Sequence, residues 1–518
     1  MPAIITDQFR IKSAESFVSG ITGIGSTSNN YYLWIGLPNS SEISATWDDN
    51  PPAPKDAIAE ENDYWDTMMA LKKINADDVV RVVRKNVWRS GTFYDYYRHD
   101  YSRTNLSNVT SATNLYSANY YVVNSDYRVY ICLQNGTDPE NPLGRPSLDE
   151  PTFTDLEPRS AGTSGDGYIW KYLYTIKPSE IIKFDSTNFM PVPNNWETGA
   201  QYQAVRNNAL DSGQIKIITI KNRGVGYGTA ATYNNVPISG DGKDATCSVI
   251  VNSAGTIDAV EITNGGVDYT FGTVDLDVAG ITNGGSTDAE MEVIIPPSQG
   301  HGYDVYKELG AYRVLIYSRL ENDTLNPDFI VGNQFSRVGI VKNPIAYNST
   351  ELLNLSKASS VYALKLSGSN VTTTSFTPDS YIRQTVGSGV TAVGRVISWT
   401  SSTGILKYWQ DKKLASGATA TYGYKLQRFT SSPESGGNTT ILGGSNSLTI
   451  DTNFGTTSEP GIKTTINSKT YYLGQGFVNG IANPEVKKYN GEIVYVDNRA
   501  AVTRSSTQKE DIKIVLEF

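Results

Sequence analysis

Two histidines limit the acid–base chemistry open to this chain of 518 residues. His99 sits in Tyr-Tyr-Arg-His-Asp-Tyr-Ser and His301 in Ser-Gln-Gly-His-Gly-Tyr-Asp. A Ser-His-Asp triad would have to use one of them, and neither Gly-x-Ser-x-Gly nor His-Glu-x-x-His occurs. Cys132 and Cys247 are the only cysteines and lie far apart. No disulfide framework or cysteine metal site is expected, a zinc shell would need carboxylates, and folding in a reducing cytoplasm is the natural inference. The 53 Asp and Glu could supply the carboxylate pair of a glycosidase, but any acid-rich β protein meets that condition. Gly474–Gly480, Gly-Gln-Gly-Phe-Val-Asn-Gly, lacks phosphate-cradle spacing and reads as a loop.

The other candidate surface is a row of rings. In Ser164–Ile176, SGDGYIWKYLYTI, the aromatics Tyr168, Trp170, Tyr172 and Tyr174 recur at every second residue. In a strand that period puts all four on one face. Ile169, Lys171, Leu173 and Thr175 occupy the other face, which is half polar. The aromatic side is therefore expected to be buried, in a core or a subunit contact, because four exposed rings would need a partner. A carbohydrate platform is the alternative.

Composition frames these residues. Formal net charge is −9 and charged residues make up 19%, while Gly (46) and Tyr (33) are plentiful. The acidic balance argues against nucleic-acid binding, and the cluster Arg81, Arg84, Lys85 and Arg89 reads as a solvated face or as ion pairs. No run is long and apolar enough to span a membrane. The amino-terminal MPAIITDQFRIK has no apolar segment of the secretory kind, so no signal is expected.

Short strands between turn signals dominate: Tyr31–Leu37, Asp126–Leu133, Tyr168–Ile176, Tyr312–Leu320 and Asp511–Phe518 are rich in aromatic and β-branched residues. Tyr64, Met68 and Leu71, widened by Trp65 and Met69, have helical spacing. They predict a helix that starts after the Pro-rich NPPAP and ends near Asn75. IKNRGVGYG (Ile220–Gly228) is echoed by ITNGGVDYT (Ile262–Thr270), and Ala245 and Val249 are echoed by Ala289 and Val293. The repeat predicts two small β units packed together between Gly213 and Pro296, their glycines supplying positive φ. VGRVISW and ILKYW flank TSSTG and predict a hairpin, whereas the Ser/Thr/Gly-rich stretch from Thr430 to Gly461 reads as a mobile loop or exposed tip.

Four blocks in chain order carry a family resemblance: YWDTMMALKKI followed by VVRVVRKNVW; GDGYIWKYLYTIKP (Gly165–Pro178); GNQFSRVGIVKNP (Gly332–Pro344); and NGEIVYVDNRAAV (Asn490–Val502) with the terminal DIKIVLEF. Together they resemble the gene-eight baseplate wedge family of T-even-like contractile-tailed bacteriophages. The resemblance covers about residues 1–200, 299–345 and 484–518.

The resemblance implies a mainly β fold: a β-sandwich core with a few helices in loops, plus inserted small β domains. The expected parts are 1–204, 299–347 and 484–518 as core, with 205–298 and 348–483 inserted. It implies a virion protein of the tail baseplate, assembled in the host cytoplasm. Its partners would be other wedge proteins, the fibre attachment machinery and a second copy. No enzyme activity, cofactor or metal is implied. Gly165, Asp166, Gly167, Tyr168, Trp170, Asn343, Pro344, Gly491, Glu492, Asn498 and Arg499 are the family-like structural positions. The rival expectation is a receptor-binding or glycan-degrading tail protein.

Overall fold

A computed structural model describes residues 3–23, 29–38, 46–211, 214–325, 333–410 and 427–518. Gly213 and Gly332, which open two of the segments singled out above, lie outside the described residues. The chain is mainly β with few helices. It divides into two compact units: Met1–Val18, Val80–Leu315 and Val515–Phe518 form the first, Ser19–Val79 and Ile316–Ile514 the second.

In the first unit, the strands Tyr121–Val123, Arg128–Asn135 and Tyr168–Thr175 form an antiparallel sheet in that order. The core around it is unusually rich in tyrosine, with Tyr94, Tyr96, Tyr97, Tyr120, Tyr121, Tyr130, Tyr168 and Tyr174 all buried. A buried tyrosine combines a large apolar ring with a hydroxyl that must find a partner. Here the hydroxyls reach backbone carbonyls of loops and neighbouring strands. Tyr121 Oη donates to Arg84 O (3.0 Å), Tyr101 Oη to Tyr96 O (2.9 Å), Tyr174 Oη to Pro191 O (3.1 Å) and Tyr306 Oη to Pro193 O (2.6 Å). The tyrosines thus fill the core and tie irregular chain to it. In the amino-terminal helix Asp7–Thr22, only Ile11, Ala14 and Val18 are buried, one narrow stripe at i, i+3, i+7 spacing.

The glycine-turn repeat builds its own core, from Ile215 through Cys247, Val249 and Ile257 to Ile295. Ile218–Asn222 of the first copy pairs with Glu290–Val293 of the second. Ile257–Asn264 of the second copy pairs with Thr246–Val251 of the first. The two copies therefore exchange strands. The turns are matched: Gly224 N donates to Asn222 Oδ1 (3.0 Å), and Gly266 N to Asn264 Oδ1 (3.1 Å). The tyrosines cross over as well. Tyr227 Oη accepts Ala289 N–H at 2.7 Å, and Tyr269 Oη accepts Ala245 N–H at 3.3 Å. A Cβ on Gly224 would come within 2.5 Å of Ala289 N, and one on Gly266 within 2.6 Å of Ala245 N. Both turns press against the same element of the opposite copy, at φ +58° and +60°, which is why glycine recurs there.

The second unit carries a five-stranded antiparallel sheet. Its order is Lys357–Ser359, Met68–Lys73, Tyr31–Gly36, Gln334–Lys342, Glu492–Thr503. The predicted helix is shorter than its spacing suggested. It runs Ile58–Thr67, and Met68 turns to an extended conformation (φ −61°, ψ 131°). Met68–Lys73 is instead a strand between Tyr31–Gly36 and Lys357–Ser359. Met68, Met69, Ala70 and Leu71 are all buried, so the run has no solvent face and the helical period coincides with a strand covered on both sides.

Six strands of the second unit close into a barrel. Their order is Ile405–Trp409, Val390–Thr400, Tyr381–Gly387, Thr440–Gly443, Asn446–Ile450, Tyr362–Ser367, and Tyr362–Ser367 pairs back to Ile405–Trp409. The predicted hairpin forms two of these strands. Leu364, Leu366, Ile382, Leu406, Ile441 and Leu448 fill the interior, as befits a barrel too small for a channel. The stretch read as a loop or tip, Thr430 to Gly461, supplies two barrel strands. Ile441, Leu448 and Ile450 are buried among serines and threonines, so a few inward side chains suffice. Gly474–Phe477, also read as loop, ends the strand Lys469–Phe477, which pairs with Gly461–Ile466.

Candidate structural site

In the first unit, the motif Gly165-Asp166-Gly167-Tyr168-x-Trp170 is a turn feeding a buried strand. Gly165 and Gly167 have φ +68° and +81°. Between them Asp166 is buried, accepting Leu148 N–H at 2.8 Å through Oδ2 and Tyr168 N–H at 3.1 Å through Oδ1. Gly167 lies against Gly136, where an added Cβ would sit 2.7 Å from Gly136 Cα. Tyr168 Oη accepts Tyr94 N–H (2.9 Å) and donates to Arg145 O (2.8 Å). Its ring stacks on Trp170 at 5.3 Å, and Tyr94 meets Trp170 edge-on at 5.8 Å. Burial pushes the Tyr168 phenol up.

The row of rings is therefore wall rather than open platform at Tyr168, Trp170 and Tyr174, all buried, while Tyr172 is half-buried. The alternation is less regular than the spacing predicted. Register shifts between Val129 and Tyr130 and between Cys132 and Gln134 put residues out of step. The half-polar face is also covered. Leu173 and Lys171 are fully buried, and Lys171 Nζ donates to Leu156 O (2.6 Å) and Asn208 Oδ1 (2.8 Å). Burial lowers its pKa to about 8, against the opposing pull of Glu308 and Glu157. Nothing in the strand's alternation marks Lys171 as buried, since lysine at a polar position is ordinarily solvated.

Both histidines have structural partners. His301 Nδ1 lies 2.6 Å from Glu308 Oε1, whose Oε2 accepts Gly302 N–H at 2.6 Å, and its ring meets Tyr97 edge-on at 4.7 Å. His99 Nδ1 accepts Ile295 N–H at 3.3 Å, and burial lowers its pKa. Among the described residues neither ring hydrogen-bonds a serine, threonine or cysteine, and no group of three His, Cys, Asp or Glu is placed to hold a metal. Cys132 and Cys247 are free and buried, and burial pushes both thiols up, Cys247 to about 11. No helix among the described residues is long and apolar enough to cross a membrane.

The basic cluster is only in part the solvated or ion-paired set expected. Lys85 pairs with Asp185 at 2.6 Å. Arg84 instead donates to Tyr116 O and Ala118 O, both at 3.0 Å. Arg81 is buried with its guanidinium over the Tyr306 ring, 3.1 Å from the centroid, and burial lowers its pKa. Arg84 thus ties backbone, Arg81 stacks on a ring, and Arg89 is exposed. A further organiser, Asp95, escaped notice in the sequence. It is fully buried and accepts Val109 N–H (2.9 Å), Thr110 N–H (3.3 Å) and Asn119 N–H (3.0 Å).

The remaining motif residues meet in the second unit, around Gln334–Lys342 and Glu492–Thr503. Asn343 (φ 52°) bonds both ways with Asn30: its N–H donates to Asn30 O (2.7 Å) and its Oδ1 accepts Asn30 N–H (2.8 Å). Pro344 O accepts Leu353 N–H at 2.8 Å. Gly491 (φ +86°) packs against Pro344, where a Cβ would come 2.9 Å from Pro344 Cα. Glu492 pairs with Lys342 at 2.9 Å. At the far end of the strand pair, Asn498 Oδ1 accepts Arg337 Nε–H (2.7 Å), and Arg499 pairs with Asp497 (3.1 Å). The motifs thus form two separate clusters that set turns, registers and caps.

No family model matches the chain. Over 215 residues it is 25% identical to baseplate wedge protein gp8 of Enterobacteria phage T4, a stretch that takes in 37% of this chain and 60% of that protein. The chain therefore spans less than two thirds of the length of this curated relative.

Proposed function

We propose that the chain is a non-enzymatic structural subunit of a contractile-tail baseplate wedge. The similarity to the T4 wedge protein carries this reading. Motif residues spent on turns, caps and a sealed aromatic wall, rather than on an open cleft, agree with it. In the finer form of the proposal the subunit is a homodimer within the virion tail baseplate, assembled in the host cytoplasm. It contacts other wedge proteins and the fibre attachment machinery, and moves as a rigid body when contraction is triggered. Obligate contacts of this kind bury on the order of 2,000 Å² or more. The regions 205–298 and 348–483 are insertions that enlarge contacts with neighbouring wedge subunits. The test is the mass of the purified chain, alone and mixed with the other wedge proteins encoded with it. A dimer that enters a defined hetero-complex is the expected result. A chain that ignores those proteins, but binds or cleaves host envelope polysaccharide saturably, overturns the proposal.

A further inference from the structure

The strand Glu492–Thr503 ends the five-stranded sheet and has a strand neighbour, Gln334–Lys342, on one side only. Chain leading into the proline-rich stretch, Trp47 to Pro52, caps the downstream half of its outer edge. Trp47 Nε1 donates to Arg499 O (3.0 Å), Asp48 Oδ1 accepts Ala501 N–H (2.9 Å), and Asn498 Nδ2 donates to Pro52 O (2.9 Å). The upstream half is bare: among the described residues, nothing hydrogen-bonds the outer backbone groups of Ile493–Val496. Beside them lies a cleft of about 420 Å³. Ile58 and Val494, 82% and 45% exposed, give it apolar walls, and Lys55, Asp56 and Glu61 stand on its rim.

An unpaired strand edge is a template for another extended chain, and proteins ordinarily cover or charge such edges. Here half the edge is covered and the rest opens into an apolar cleft. We propose that Ile493–Val496 is a β-augmentation site for an extended segment of a different protein, apolar at alternate positions and carrying a basic residue. The bare backbone groups call for an extended chain. The apolar walls call for side chains of period two. The rim, with two carboxylates against one lysine, favours a cation. The inference deepens the structural reading and rests on it in taking the partner to be an assembly protein.

The probe is a fluorescein-labelled peptide, Thr-Val-Lys-Val-Thr-Val-Lys, titrated with the full chain and read by anisotropy. Two further peptides carry N-methyl groups along one edge or the other, and a fourth replaces Lys with Glu. The expected result is saturable binding that falls at least tenfold for one N-methyl series and not the other, and falls also with Glu. Val494→Lys and Ile58→Lys in the protein should each weaken binding at least tenfold with an unchanged melting temperature, since both side chains are exposed. No saturable binding, or equal binding by both N-methyl series, overturns the proposal. So does a wild-type dimer that Val494→Lys dissolves in sedimentation, which would make a second copy the occupant. A chain that binds no probe yet joins wedge proteins would sink this site and leave the structural role standing.

Discussion

Lys171 offers the sharpest test of the buried wall. Its ammonium is fully buried beneath the aromatic strand, and burial lowers its pKa from the ordinary 10.5 to about 8. In the unfolded chain it returns to the ordinary value. Between these two pKa values the unfolded state holds more protons than the folded one, so stability from this group rises with pH. The buried charge costs roughly 3 kcal/mol below pH 7 and is relieved as pH climbs, by about 1 kcal/mol between pH 7 and 9. Lys171→Met removes the titration. The stability of the native protein minus that of the variant should therefore grow by about 1 kcal/mol from pH 7 to 9. The buried thiol of Cys132, pushed up by burial, acts in the opposite sense but is common to both proteins and cancels. Two units make a single global transition a poor measure. The readout is thus denaturant-dependent hydrogen exchange of the Tyr168–Thr175 strand, corrected for intrinsic rates. A difference that stays flat or shrinks across that interval would refute a buried, charged Lys171.

Other outcomes follow from the same geometry. Gly167→Ala should cost more than 2 kcal/mol or so, because its Cβ meets backbone at 2.7 Å. Gly165→Ala, with open space around it, should cost only the ~1 kcal/mol of a left-handed residue. Equal melting temperatures for the two variants would count against the close approach. Trp170→Ala should destabilise the first unit by about 3–5 kcal/mol in chemical denaturation, and a normally stable, soluble variant would show that the ring is not core. Tyr227→Phe and Tyr269→Phe should each cost about 1–3 kcal/mol by leaving the opposite copy's alanine N–H without its acceptor. Tyr269→Phe should cost more, because Tyr269 Oη also donates to Ile238 O. Hydrogen exchange at Ala289 and Ala245 reports which turn loosens.

How much was legible in the sequence depended on which rule each segment obeys. The Val390–Trp409 hairpin, the buried rings at Tyr168, Trp170 and Tyr174 and the paired glycine turns follow local turn chemistry and period-two burial. The helix overran at Met68 because a strand covered on both faces has no polar period to distinguish it from a helix. The strands Thr440–Gly443 and Asn446–Ile450 were hidden by composition, since barrel closure asks only for alternate inward residues such as Ile441, Leu448 and Ile450. In Asp7–Thr22 the signal was present, Ile11, Ala14 and Val18 on one stripe, but thin against the polar remainder. Lys171, Asp95 and the arginine stacked on Tyr306 were illegible for a common reason. Their burial is decided by other segments of the chain, loops and short helices, that bring carbonyls, amides and a ring to them. Of the motif residues, sequence order gave no sign that they would divide between two units.

The proposal that this chain is a tail baseplate subunit is tested most directly by cross-linking mass spectrometry of intact particles. The account predicts lysine cross-links, Lys55 and Lys463 among them, to other baseplate proteins, at a copy number matching the six-fold symmetry of a hexagonal baseplate. Absence from purified particles, or cross-links confined to the distal tips of receptor-binding fibres, would contradict it.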